Sequence, residues 1–84
     1  MKIETHSQAD RTTIRLIGDF QSDHIEELRK QVEHESSEVI LDLREITLVD
    51  VHVVQFLAEC VTKGMKIVHC PRYIKKWLLR ETET

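Results

Sequence analysis

The stretch Glu38–Leu57, EVILDLREITLVDVHVVQFL, constrains the fold of this chain more than any other. Val39, Ile40, Leu41 and Leu43 form a nearly continuous apolar run broken only by Asp42, which suits a central strand covered on more than one side. A short apolar turn, Ile46 to Val49, then ends in Asp50. The following residues read as a helix entered directly from that aspartate, a residue type whose carboxylate accepts from the free amides of a first helical turn. A covered strand that hands its chain to a helix points to alternating α and β elements rather than to an all-β sandwich.

The flanking segments extend the same pattern. Lys2 to His6 alternates around Ile3 and reads as a strand, Ser7 to Arg11 as a polar turn, and Thr12 to Gly18 as a second strand with Ile14 and Leu16 on one face. Strands joined so closely form an antiparallel hairpin. Gly18-Asp19-Phe20-Gln21 is read as leaving the sheet, and a helix begins near Ser22 or Asp23, where Asp23 and Glu26 fit a capping box. Ile25, Leu28 and Val32 recur at helical spacing, and the polar stretch Glu33 to Ser37 ends the element. Gly64 is placed to close the middle helix as its C′ residue. Met65 to His69 is another apolar strand, Pro71 suits the start of a helix, and Ile74, Trp77 and Leu78 make that helix's apolar stripe. The expected architecture is one small α/β domain over residues 1–84, β-β-α-β-α-β-α, with a mixed four-stranded sheet packed by three helices. Strands separated by helices must run parallel.

The middle helix is the oddest of these elements. On a wheel at about 100° per residue, His52, Gln55, Glu59, Thr62 and Lys63 share one polar arc of roughly 100°. Every other position from Val51 to Val61 is apolar, about twice the stripe that one sheet face needs. Either flanking helices bury the excess, or a partner covers the margins near Val51 and Phe56. The β-branched residues Val51, Val53, Val54 and Val61 disfavour a helix mildly, so packing must hold the segment.

Composition narrows the function classes. A chain of 84 residues with 40% hydrophobic and 32% charged side chains has the make-up of an ordinary globular domain with a thin core. A net charge of −3 argues against generic nucleic-acid binding. Arg72, Lys75, Lys76 and Arg80 nevertheless occur together without an acid, either as a solvated helix face or as a docking patch for an acidic partner or lipid headgroups. No apolar run approaches the ~20 residues that span a bilayer, and no signal-peptide pattern opens the chain, so no direct membrane insertion and a cytoplasmic location are expected. Cys60 and Cys70 have neither metal nor redox spacing. Asp50 and His52, two apart on a helix, point away from each other and make a poor acid–base pair. His69-Cys70 supplies two of the three or four ligands a zinc site needs. No nucleophile motif, phosphate-cradling glycine loop or paired-carboxylate site is present. No catalytic residue, metal or cofactor is therefore expected.

The central segment resembles the motif of the anti-sigma-factor antagonist family, the STAS domain, in which an LDL-type strand leads to D-S-S/T-G-L at a helix start. Ile14-Arg15-Leu16-Ile17-Gly18-Asp19-Phe20 is similar to that family's apolar strand followed by G-E-L-D. Leu41-Asp42-Leu43 matches the LDL strand, Ile46 to Asp50 the lead-in, Leu57-Ala58 the following helix, and Lys66 to Pro71 the next strand and loop. The resemblance spans about residues 12–80 and implies a compact α/β domain. Its departures matter equally. Val51 and His52 stand where the family has its serine pair, Val53 replaces the following glycine, and Gln21 stands where an aspartate is common. The phosphoacceptor hydroxyl is missing. Valine acquires neither the charge nor the acceptor oxygens of a phosphate.

The resemblance implies a non-catalytic protein–protein interaction and regulatory module held in its unmodified state, the state that engages kinase-type anti-sigma partners. It places the partner surface at Asp50, Val51, His52, Gln55 and Phe56. Asp50 would cap and carry fixed charge, Val51 and Phe56 make apolar contacts, and His52 and Gln55 make polar ones. Two other classes stay open: an accessory subunit of a membrane lipid-transport ATPase complex, and a small ligand-binding domain or enzyme. A homodimer through the middle helix is compatible with any of them.

Overall fold

The computed structural model describes residues 1–35 and 38–82. The elements run β1 (Lys2–Gln8), β2 (Arg11–Phe20), a 3₁₀ turn (Ser22–His24) leading into α1 (Ile25–His34), β3 (Glu38–Asp42), β4 (Ile46–Val49), α2 (Val51–Thr62), β5 (Lys66–Val68) and α3 (Arg72–Thr82). The α/β architecture with three helices and a mixed sheet agrees with the expected element order. Among the described residues the strands number five rather than four. Ser36 and Ser37, at the end of the polar stretch read as closing the first helix, lie outside the described residues.

The sheet order is β1-β2-β3-β5, with β1 antiparallel to β2 and the other neighbours parallel. The hairpin is tighter than its sequence suggests: pairing continues to Gln8↔Arg11, leaving only Ala9 and Asp10 in the loop, with Ala9 at φ 49°. A positive φ at the first loop residue matches the right-handed twist of the strands it joins. β2 does not leave the sheet at Gly18. It runs ten residues, overreaching β3, and its last three pair in parallel with β4. That overhang explains the additional strand. Ile46–Val49 reads as a turn by itself, but Gly18, at φ 91°, donates its N–H to Glu45 O at 3.0 Å and seats the short segment on the open end of β2.

Alternation along β2 and β3 sends Thr12, Ile14, Leu16, Val39 and Leu41 to one face, where all are buried. Leu28 and Val32 of α1, Val53 and Leu57 of α2, and Ile74 of α3 complete the core against that face. The other face carries Arg15, which reaches Glu4 of β1, Asp42 of β3 and Glu45 at 3.8–4.0 Å. One face holds the helices, and the other carries these charges beside the half-buried Ile17, Ile40 and Val68. No helix among the described residues is long and apolar enough to cross a membrane.

The first helix starts differently from the expected Asp23–Glu26 box. Gln21 donates its N–H to His24 Nδ1 at 3.0 Å, while the Ser22 N–H is taken by Asp50, 28 residues away. The box is local but lies two residues earlier, at Gln21 and His24, and Asp50 adds a remote acceptor beside it. The end of α2 agrees with its sequence. Gly64 sits at φ 93°, its N–H reaches Val61 O at 3.0 Å, and the Met65 N–H reaches Cys60 O at 3.0 Å, the paired bonds of a Schellman close. A Cβ at Gly64 would meet nothing within 4 Å, so Gly64→Ala carries only the strain of a left-handed backbone. The expected loss is about 1 kcal/mol, read as a lower denaturant midpoint with an unchanged slope. An unshifted midpoint would show that this close is not held in solution.

Candidate interaction surface at the β4–α2 junction

Asp50 occupies the corner where β4 hands the chain to α2. Its backbone is extended, φ −98° and ψ 176°, as a capping residue requires. Oδ1 accepts the Val53 N–H at 3.0 Å, and Oδ2 accepts the Ser22 N–H at 2.7 Å. One carboxylate thus satisfies free amides at the starts of two helical segments. The Val53 N–H is the main reason the Asp50 carboxyl titrates below its ordinary value. Desolvation opposes that shift, and the Ser22 N–H and the His52 charge add to it. With both oxygens accepting backbone amides, Asp50 works as a fixed brace at this corner.

Around this brace the side chains divide sharply. Leu48 is 62% exposed and Val51 39% exposed, although both are apolar. His52 and Gln55 are exposed on the next turn, in line with the polar arc expected of α2. Phe56 is not on this surface. It is only 5% exposed, lies in the core, and is covered by Arg29, whose guanidinium carbon stands 5.1 Å from the ring centroid. Arg29 is held there by Glu26 and Glu59, each at 3.8 Å. The assignment of Phe56 as a partner contact is therefore corrected, because α1 brings a cation over the ring that the wheel left at a margin.

The wide apolar arc of α2 is mostly consumed by its neighbours. Val53, Val54, Phe56, Leu57, Ala58 and Cys60 are buried, and α3 packs along α2. Of the apolar positions in α2, only Val51 and Val61 are exposed. Tyr73 of α3 donates its hydroxyl to Thr47 O of β4 at 3.0 Å while its residue stays largely exposed. That bond ties the first turn of α3 to the junction. Leu48 and Tyr73 were not marked by sequence, since nothing local distinguishes an outward leucine of a four-residue strand from an inward one.

Burial pushes the Cys60 thiol up to about 11, and burial likewise raises that of Cys70, so neither is a thiolate at neutral pH. Among the described residues no group of three or more His, Cys, Asp or Glu side chains is placed to hold a metal ion. His69, at φ 53°, instead accepts from Arg44 Nη2 through Nε2 at 2.9 Å. Against protein-family models and against curated proteins, the sequence finds no match.

Proposed function

We propose that this chain is a non-catalytic, STAS-like protein–protein interaction module that docks a protein partner through the β4–α2 junction. The supporting observation is the pairing of an immobilised corner with outward apolar side chains. Asp50 spends its carboxylate on two backbone amides, while Leu48 and Val51 on either side of it face solvent. A rigid apolar pair rimmed by His52 and Gln55 loses little conformational entropy on docking. With valine at position 51 the residue that matches the family's phosphoacceptor carries no hydroxyl, so modification at that position would not release the partner. The partner class that this reading implies is a kinase-type anti-sigma factor or the ATPase subunit of a transport complex, met in the cytoplasm.

The test is affinity capture of the tagged protein from its own cell extract, with and without ATP, alongside Val51→Glu and Leu48→Asp. A partner held by the parent protein is expected to be depleted about tenfold or more by either change, the loss that follows from placing a charge in a desolvated contact. Circular dichroism of both variants should match the parent. Undiminished capture by folded variants would move the surface elsewhere. The ligand-binding alternative has its own support in a hollow of about 140 Å³ between α1 and α2, walled by Val32, Phe56 and Cys60 under charged Arg29, Glu59 and Lys63. A small molecule that raises the melting temperature of the parent protein would favour it.

A further inference from the structure

The two edges of the sheet are unequal. β5 is only three residues long, a short edge with little backbone to offer another strand. β1 is seven residues long, contains no proline, and matches β2 one for one from Lys2↔Ile17 to Gln8↔Arg11 without a bulge. Apart from Ile3, every residue in it is exposed. The hairpin geometry states which of its backbone groups are free. A two-residue loop is closed by a pair that exchanges hydrogen bonds, here Gln8 and Arg11, and such pairs alternate along an antiparallel ladder. Gln8, His6, Glu4 and Lys2 therefore turn their N–H and C=O groups toward β2. Ile3, Thr5 and Ser7 turn theirs outward. The Ser7 and Thr12 hydroxyl oxygens lie 3.3 Å apart, as expected of the closer, non-hydrogen-bonded pairs.

We propose that this edge binds a second copy of the chain, β1 against β1 in antiparallel fashion about a two-fold axis at Thr5, joining the two sheets edge to edge. The register follows from the residues. Outward groups must meet outward groups, so an odd-numbered residue faces an odd-numbered one and the centre falls on a residue. Centring on Glu4 sets Glu4 against the partner's Glu4. Centring on His6 sets His6 against the partner's His6 and discards the start of the strand. Centring on Thr5 uses the whole strand. It places Glu4 opposite the partner's His6 twice, Lys2 opposite the partner's Gln8, and Ile3 opposite the partner's Ser7, with about six backbone hydrogen bonds. Imidazole donates to a carboxylate in either protonation state, so the Glu4–His6 pairs are complementary throughout. Glu4 is already oriented on the open sheet face by Lys2 at 3.4 Å and Arg15 at 3.9 Å. β1 contributes nothing to the β4–α2 junction, so both surfaces can be occupied together.

Sedimentation equilibrium from micromolar to millimolar concentration tests this. The parent chain is expected to move from 9.9 kDa toward twice that mass as concentration rises. Thr5→Pro removes an outward N–H that β2 does not use, so a folded monomer at every concentration is expected. His6→Glu, an exposed change that leaves the fold in place, sets Glu against Glu and should weaken association at least tenfold. Combining it with Glu4→His exchanges the partners and should restore association, in the Thr5-centred register alone. A parent protein that stays monomeric throughout overturns the proposal. So does a dimer that His6→Glu leaves unaltered.

Discussion

Phe56→Ala is expected to cost about 3 kcal/mol of folding stability, the usual range for removing a buried phenyl ring. Two contributions are lost together. The ring fills core volume where α2 faces α1, and the cavity left behind is only partly refilled. The Arg29 guanidinium also loses the aromatic face beneath it, a contact of about 0.5–1 kcal/mol at a partly exposed site. For a chain of 84 residues, total stability is on the order of 4–13 kcal/mol, so the variant should melt roughly 12–24 °C below the parent. Urea unfolding at neutral pH measures the loss directly. The result also separates two views of α2. A partner-facing phenylalanine would cost less than about 0.5 kcal/mol when truncated, so a small effect would return Phe56 to the docking surface. Phe56→Leu, which keeps most of the volume, should recover more than half of the loss.

Phe56 also illustrates what could be read before the structure was known. Helical spacing within α2 was sufficient to separate His52, Gln55, Glu59, Thr62 and Lys63 from the apolar positions, and all five are exposed. It was not sufficient to choose between two apolar margins, because their covering depends on where α1 and α3 land. The Gly64 close was legible for the complementary reason: both of its hydrogen bonds lie within six residues. β4 was not, since Ile46–Val49 has too few residues for a period and is a strand only because β2 overruns β3. The start of α1 shows the same limit. Asp23 and Glu26 satisfy a local capping pattern, yet the box forms at Gln21 and His24, and the amide of Ser22 goes to Asp50, a partner no window of neighbouring residues contains. Local chemistry wrote the elements, and long-range contacts decided their ends and their covered sides.

The Asp50–Ser22 bond gives the second large expectation, because a single side chain there holds two helical starts. Asp50→Ala should destabilise the fold by about 1–2 kcal/mol, mostly through the lost cap at Val53, since the exposed Ser22 amide can turn to water. Asp50→Asn retains an acceptor for Val53 but offers no second carboxylate oxygen, so less than half that loss is expected. The carboxyl titrates below its ordinary value near 3.8 when the chain is folded, which sets the sign of the pH dependence. A depressed folded-state pKa contributes stability that is complete above the unfolded value and disappears as pH falls through the folded one. The gap between parent and Asp50→Asn should therefore be full at pH 7 and narrow as pH is lowered below about 4. Urea titrations at pH 7 and pH 3 measure it, and an equal gap at both would show that the negative charge contributes nothing at this corner. The same pair of variants separates brace from contact. If Asp50 only fixes the geometry that Leu48 and Val51 present, folded Asp50→Asn should retain most of its partner binding. Val51→Glu should lose that binding while keeping its stability. The opposite ranking would make the carboxylate itself what the partner reads.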